Sequence, residues 1–291
     1  MLQHVYFSNE NCRILGAYHE PEKPAEARPL GIVMLHGWAG YRIGAHQMFT
    51  KLARKAEAAG FYCLRFDFRG RGDSEGAAED ATLSTMIADT VAAVDWLKQE
   101  AGLSRIALVG DCSGAEVAIG AGVLRPAIRD LVLWSAPMVG ADRSESDRAR
   151  KWYVIKQYVR KLFMRRTWSK LLGRRMQFGL IKKALVRGGK GAGEEGAEED
   201  ERIDWVRRFV GFCGEVLFIY GGNDPTAGEC IAYYRSLSRQ AQREFNSHVV
   251  AGANHAFYSV KWEEEVMDVT LNWLTEQCQK LEARIGASSA R

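Results

Sequence analysis

The sequence lacks closely spaced cysteine pairs, although the chain contains six cysteines among its 291 residues. Structural zinc sites and small disulfide scaffolds usually hold cysteines only a few positions apart, so we expect neither kind of site. Isolated thiols that stay reduced are typical of proteins in the cytoplasm. The cysteine pattern therefore predicts a cytoplasmic protein whose thiols are free.

Long apolar runs are also missing. No uncharged apolar stretch approaches the roughly 18 residues that a membrane-spanning helix needs. The first residues, Met1–Ser8, lack the basic segment and following apolar run of a secretory signal peptide, so we expect neither a span nor a signal peptide. The hydrophobic share of 47% supplies enough side chains for a folded core, which excludes a wholly disordered chain.

The charges nearly balance over the whole chain but not locally. The net charge is +4, from 40 Lys and Arg against 36 Asp and Glu. Residues 141–190 contain 16 of the basic residues and only 3 of the acidic ones, so the rest of the chain is acidic. No recognisable nucleic-acid-reading motif accompanies this basic segment, and we expect no nucleic-acid partner.

Short apolar runs alternate with longer amphipathic stretches along most of the chain. This alternation is typical of an α/β protein with a mostly parallel sheet that helices cover on both faces. The predicted strands are Gly31–Leu35, Tyr62–Phe66, Ile106–Val109, Leu131–Ser135, Val216–Tyr220 and Glu244–Val250. The predicted helices are Gly44–Ala59, Leu83–Ala101, Ser113–Leu124 and Trp262–Leu281. The N-terminal segments His4–Phe7 and Arg13–Tyr18 predict an antiparallel hairpin at one sheet edge.

The stretch between Gly140 and Gly214 is too long for a loop in a compact domain. Its apolar residues recur at helical spacing, which predicts a helical cap over residues 141–213, inserted between core segments 1–140 and 214–291. Three interpretations of the basic charge of this cap stay open. It is a solvated helix face, a surface that attracts an anionic substrate, or a surface that lies on an anionic membrane.

The sharpest chemical signal is the run Gly110-Asp111-Cys112-Ser113-Gly114. It lies between a predicted strand and a predicted helix, which is the setting of a nucleophile elbow. The turn is tight, so the residues two before and two after the nucleophile must be very small. Gly110 and Gly114 satisfy this requirement around Cys112, whereas a nucleophile at Ser113 would place Asp111 and Ala115 there. The helix N-terminus also favours a thiolate, and we predict that Cys112 is the nucleophile.

An orienting acid and a general base are expected to follow the nucleophile in that order along the chain. Asp224 lies just past the predicted strand Val216–Tyr220, and His255 lies just past the last predicted strand. The carboxyl ends of parallel strands are the usual place for ligands and reactive groups. We therefore predict a triad of Cys112, His255 and Asp224.

Taken together, these motifs resemble those of the α/β-hydrolase fold superfamily over nearly the whole chain. His36-Gly37-Trp38 is similar to the oxyanion loop of that superfamily, and Phe66–Ser74 is similar to the turn after its fourth strand. Tyr41–His46 and the run GRGDSEG resemble bacterial hydrolases associated with exosortase systems. The resemblance implies an α/β-hydrolase fold, with the backbone N–H groups of Trp38 and Ser113 as oxyanion donors.

The cysteine at the elbow resembles that of dienelactone hydrolases, since most of the superfamily has serine there. Dienelactone hydrolases also use a glutamate near the oxyanion loop, and Trp38–Gly44 contains none, so dienelactone specificity is not expected.

The function expected from the triad is hydrolysis of a carboxylic ester or thioester of a small or medium acyl compound. The reaction would pass through an acyl-thioester on Cys112, with no metal and no organic cofactor. Two alternatives stay open. One is an acyltransferase that uses the same triad, and the other is a non-catalytic protein that binds an acidic partner or a membrane through its basic cap. The oligomeric state is not predicted.

Overall fold

A single mixed sheet of eight strands organises the computed structural model, which describes residues 1–38, 40–140 and 203–289. In sheet order the strands are β1 to β8 arranged as β1-β2-β4-β3-β5-β6-β7-β8. Their bounds are β1 Leu2–Asn9, β2 Cys12–His19, β3 Gly31–Leu35, β4 Tyr62–Phe66, β5 Ile106–Asp111, β6 Ile128–Trp134, β7 Glu215–Gly221 and β8 Asn246–Val250. The six strands from β3 to β8 are all parallel, as the apolar runs predict.

The N-terminal hairpin is confirmed at one sheet edge. Strands β1 and β2 pair antiparallel from Leu2 opposite His19 to Asn9 opposite Cys12. Strand β2 then pairs antiparallel with β4, so the hairpin extends the parallel sheet on one side.

Helices cover both faces of the sheet. Their bounds are α1 Met48–Ala58, α2 Leu83–Glu100, α3 Ser113–Gly122, α4 Trp205–Gly211, α5 Ala227–Gln240 and α6 Val260–Ser289. Helices α2, α3, α4 and α5 pack on one face, and α1 and α6 pack on the other. Strand β5 shows why its run is continuously apolar: Ile106 and Leu108 enter one core, while Ala107 and Val109 enter the other. The predicted mostly parallel sheet with helices on both faces is therefore confirmed.

Two helices differ from the sequence interpretation. Helix α5 was not predicted, although its buried residues Ala227, Cys230, Tyr234 and Leu237 recur at helical spacing. Helix α4 lies inside the range assigned to the cap, yet Trp205 and Phe209 are buried in the core beside α3. By internal contacts the chain divides into residues 1–139 with 199–291, and residues 140–198. The predicted cap at 141–202 lies outside the described residues.

The turn between β5 and α3 is packed against the neighbouring strand β3. A Cβ atom on Gly114 would collide with the backbone carbonyl of Leu35, and one on Gly110 would collide with the carbonyl of Gly114 itself. Backbone atoms cannot move aside as a flexible side chain can. Position 114 therefore accepts only glycine if the helix is to start this close to β3.

Replacing Gly114 with alanine should lower stability, by about 1–3 kcal/mol or more, because the new methyl group overpacks against backbone. The matched control is Gly228→Ala in α5, where an added Cβ meets no atom within 4 Å. There the loss of chain entropy in the unfolded state should raise stability by up to about 1 kcal/mol. Urea unfolding followed by circular dichroism measures both, and equal midpoints for the two variants would contradict the packing argument.

Candidate active site

The residues singled out in the sequence meet at one edge of the sheet. The loops that follow β3, β5, β7 and β8 all leave from the carboxyl ends of parallel strands, and these strands are neighbours or near neighbours in the sheet. Trp38 follows β3, Cys112 and Ser113 follow β5, Asp224 follows β7, and His255 follows β8. Parallel pairing alone brings the four loops to the same edge.

Cys112 lies at the apex of the turn between β5 and α3. Its backbone has φ of 54° and ψ of −117°, in a region that residues with a side chain rarely adopt. Such backbone strain is typical of a nucleophile elbow, where it holds the side chain away from the sheet. The glycines at positions 110 and 114 allow the turn, as the sequence pattern predicts. The elbow geometry is thus centred on Cys112 and not on Ser113.

His255 and Asp224 form a short hydrogen bond. The Nδ1–H group of His255 donates to Oδ2 of Asp224 at 2.7 Å. The other carboxylate oxygen, Oδ1, accepts from the backbone N–H of Thr226 at 3.0 Å and from its hydroxyl at 2.8 Å. Burial alone would raise the pKa of Asp224, but these hydrogen bonds outweigh it and the pKa is lowered. The carboxylate is therefore ionised and held in one orientation.

The loops that carry the acid and the base are tied to each other and to β6. The backbone N–H of Asn223 donates to the carbonyl of Ala253 at 2.7 Å, and the Asn223 side chain donates to the carbonyl of Gly252 at 2.9 Å. The hydroxyl of Ser135, just past β6, donates to the carbonyl of His255 at 2.7 Å. These contacts hold His255 over the strand ends independently of its imidazole ring.

The imidazole of His255 links Asp224 to Cys112. Its pKa is raised from 6.5 to about 10, first by the hydrogen bond to Asp224 and second by a hydrogen bond to Cys112, while burial acts in the opposite direction. With a pKa of about 10, the imidazole stays protonated at neutral pH. The arrangement favours an imidazolium beside the sulfur atom, as in cysteine enzymes that activate a thiol through histidine.

The oxyanion loop shows a contact that the sequence did not predict. The backbone N–H of Trp38 donates to the hydroxyl oxygen of Ser113 at 2.6 Å. One of the two predicted oxyanion donors therefore already has an acceptor in this structure. His36 stabilises the loop from below: its Nδ1–H donates to the carbonyl of Gly37 at 2.8 Å, and its Nε2 accepts from the N–H of Phe68.

Asp111, the last residue of β5, lies directly before Cys112. The structure places its carboxyl close enough to His255 for the two charges to interact. Desolvation raises the pKa of Asp111 to about 6, against the opposing effect of His255. The carboxyl of Asp111 is thus a second titratable group that interacts with the His255 imidazole.

The partners of the triad differ in how well the sequence could reveal them. Thr226, two positions after Asp224, fits the local pattern in which an aspartate binds the backbone two residues on. Ser135 and the hydroxyl of Ser113 have no such signal, because each acts across the fold. Within the described ranges, no group of three His, Cys, Asp or Glu residues could hold a metal ion.

The structure therefore brings together all five residues proposed from the sequence, and their catalytic roles stay predictions. None of the described helices has both the length and the apolar character needed to cross a membrane.

Two relatives match part of the chain. Human protein ABHD12B is 36% identical over 90 residues, which cover 31% of this chain and 24% of that protein. The lysophosphatidylserine lipase ABHD12 of Danio rerio is 33% identical over 97 residues, which cover 33% of this chain and 24% of that lipase. The chain thus spans about a quarter of the length of these curated relatives.

Solved structures and a family model match far more of the chain. The Est1E protein of Butyrivibrio proteoclasticus, solved with bound ferulic acid, superposes with a TM-score of 0.66 at 16% identity, over 94% of this chain and 98% of that one. This likeness shows the fold. The model of the alpha/beta hydrolase family matches residues 32–269, from β3 into α6. The chain is therefore a member of the alpha/beta hydrolase family.

Proposed function

We propose that the protein hydrolyses an activated carboxylic ester or a thioester, with Cys112 as nucleophile, His255 as general base and acid, and Asp224 as the orienting carboxylate. The observation that carries this proposal is the position of His255, which donates a hydrogen bond to Asp224 at 2.7 Å and whose pKa is raised by its interactions with Asp224 and Cys112. A structural cysteine would not need this arrangement. The elbow backbone at Cys112 gives independent support.

In the first half of the reaction the Cys112 sulfur attacks the carbonyl carbon of the substrate. Its proton resides on His255, so the attacking group is a thiolate beside an imidazolium. The new C–S bond forms as the carbonyl oxygen gains the negative charge. Collapse of this tetrahedral intermediate breaks the bond to the leaving group, which takes the proton from His255. The product is a thioester between the acyl group and Cys112.

In the second half water replaces the leaving group. Neutral His255 removes a proton from the water, whose oxygen attacks the thioester carbonyl. Collapse of the second intermediate breaks the C–S bond, releases the carboxylic acid and restores the thiolate–imidazolium pair. An alcohol or amine in place of water would give acyl transfer by the same steps. No contact among the described residues favours such an acceptor, and hydrolysis is therefore the proposal.

The oxyanion would be stabilised by the backbone N–H groups of Trp38 and Ser113. One such donor contributes about 3–4 kcal/mol to transition-state stabilisation in a well-studied case. The Trp38 N–H becomes available only when the Ser113 hydroxyl turns away from it. Part of the free energy gained when the Trp38 N–H binds the oxyanion is therefore offset by the loss of its hydrogen bond to Ser113.

A thiolate is a weaker base than an alkoxide, so it is itself a good leaving group from the tetrahedral intermediate. The substrate must carry a leaving group that competes with it. Activated esters and thioesters meet this condition more readily than amides, whose amine must be protonated before it leaves.

Replacing Cys112 with alanine should abolish turnover of 4-nitrophenyl esters and acyl thioesters, because no nucleophile remains. The matched control is Cys213→Ala, which removes an exposed thiol whose pKa is lowered by a hydrogen bond from Arg243. Cys213 lies just before β7, at the opposite sheet edge, so this variant should keep wild-type rates. Mass spectrometry of acid-quenched wild type should find the acyl adduct on Cys112, and an adduct elsewhere would contradict the assignment.

Replacing Asp224 with asparagine should lower the pKa of His255 from about 10 towards 6.5, because the largest stabiliser of the imidazolium is lost. The imidazole would then lose its proton near neutral pH instead of as the pH rises through 10. NMR titration of the His255 Cε1–H measures this change. We expect kcat/KM to fall by up to about 10⁴-fold. Asp95→Asn, which affects a surface carboxylate paired with Arg125, should change neither quantity.

Replacing Ser113 with alanine should raise kcat/KM by about two- to tenfold, since a net hydrogen-bond contribution of about 0.5–1.5 kcal/mol no longer holds the Trp38 N–H. Steady-state kinetics with one activated ester are sufficient. A fall in kcat/KM instead would show that the Ser113 hydroxyl itself donates to the oxyanion.

A further inference from the structure

Arg71 lies in the turn after β4, beside the oxyanion loop. Its backbone N–H donates to the carbonyl of Phe68 at 3.0 Å, which closes the turn. Its guanidinium carbon lies 5.5 Å from the centroid of the Trp38 indole ring, a distance typical of a cation–π contact. Trp38 is 41% exposed, and its backbone N–H is the proposed oxyanion donor. The positively charged guanidinium of Arg71 therefore lies against Trp38, whose N–H is proposed to bind the substrate oxyanion.

Three other arginines near this turn have carboxylate partners, and Arg65, at the end of β4, instead donates to His19 and to the carbonyl of Arg42. Arg42 pairs with Asp67 and with Asp73, the latter at 2.8 Å. Arg69 pairs with Asp89 at 2.8 Å and with Glu10 at 3.0 Å, and Arg13 lies 3.5 Å from Glu75.

Arg71 differs from these neighbours. Across residues 1–38, 40–140 and 203–289, no carboxylate forms an ion pair with its guanidinium. Its Nε–H group is buried and has no hydrogen-bond acceptor among these described residues. Asp67, a buried carboxylate of the same turn, accepts from Arg42 and from the backbone of Asp73. A buried donor left unpaired is costly, so such groups usually serve a ligand or another function.

We propose that Arg71, lying against Trp38, binds a carboxylate group carried by the substrate, so that the protein prefers acyl compounds with a second, anionic end. A guanidinium offers parallel donors that match the two oxygens of one carboxylate. A single cation also balances one negative charge, whereas a phosphate carries more charge and usually meets several cations. The inference rests on the proposed ester hydrolysis, and it gives that reaction a substrate class.

Two esters of equal chain length test the subsite. They are 4-nitrophenyl hydrogen glutarate, which carries a free carboxylate, and 4-nitrophenyl pentanoate, which carries none. Arg71→Gln should lower kcat/KM for the glutarate ester roughly tenfold or more, mainly through KM, because a charged hydrogen bond is lost. The value for the pentanoate ester should change less than about threefold. Arg71→Lys should restore part of the preference, since it keeps the charge but not the fork.

The matched control is Arg125→Gln, which removes an arginine paired with Asp95 on the protein surface. It should leave the ratio between the two esters unchanged. The inference is overturned if Arg71→Gln leaves the ratio of kcat/KM between the two esters unchanged. Equal losses for both esters would then assign Arg71 a purely structural role.

A binding measurement separates this inference from the proposed reaction. Wild type that hydrolyses neither ester would contradict the proposed function, and calorimetry with free glutarate then tests the subsite by itself. Saturable glutarate binding by wild type that disappears in Arg71→Gln supports the subsite. Absence of glutarate binding by wild type overturns it.

Discussion

The close backbone contact between the start of α3 and the end of β3 is the constraint on which the candidate site depends. Because Gly114 has no side chain, the helix begins directly beside the Leu35 carbonyl. This contact accompanies the sharp backbone turn at Cys112 and the hydrogen bond between the Trp38 N–H and the Ser113 hydroxyl. The proposed nucleophile and the proposed oxyanion donors are thus positioned by close backbone packing.

Charge around the site is neutralised by pairing, with two departures. Asp67 and Asp89 are fully buried and each is bound by an arginine, which avoids the cost of an isolated buried charge. Asp111 instead responds to burial with a raised pKa, and Arg71 has no carboxylate partner within the described part of the chain. Asp111 interacts electrostatically with His255 and Arg71 lies against Trp38, and perturbed or unpaired charges tend to mark sites of chemistry or binding.

The fold was largely predictable because its buried strands are continuous apolar runs and most of its helices show apolar residues at helical spacing. Strands β3 and β5 are apolar on both faces, and the predicted ends of the parallel strands differ from the observed ones by a few residues at most. Helix α5 was not predicted because the polar residues and arginines of its exposed face separate its apolar residues in the sequence. Helix α4 was grouped with the cap by its place in the chain, whereas its aromatic residues Trp205 and Phe209 pack in the core.

The sequence by itself determined the order and spacing of Cys112, Asp224 and His255, since these depend on local turns at the ends of apolar strands. It also determined that Cys112 and not Ser113 stands at the elbow, because only one register places glycines on both sides. Tertiary structure alone decided that the Ser113 hydroxyl accepts from the Trp38 N–H and that the Arg71 guanidinium lies against the Trp38 ring. These contacts join residues far apart in the chain, and no local pattern encodes the distances between separate loops.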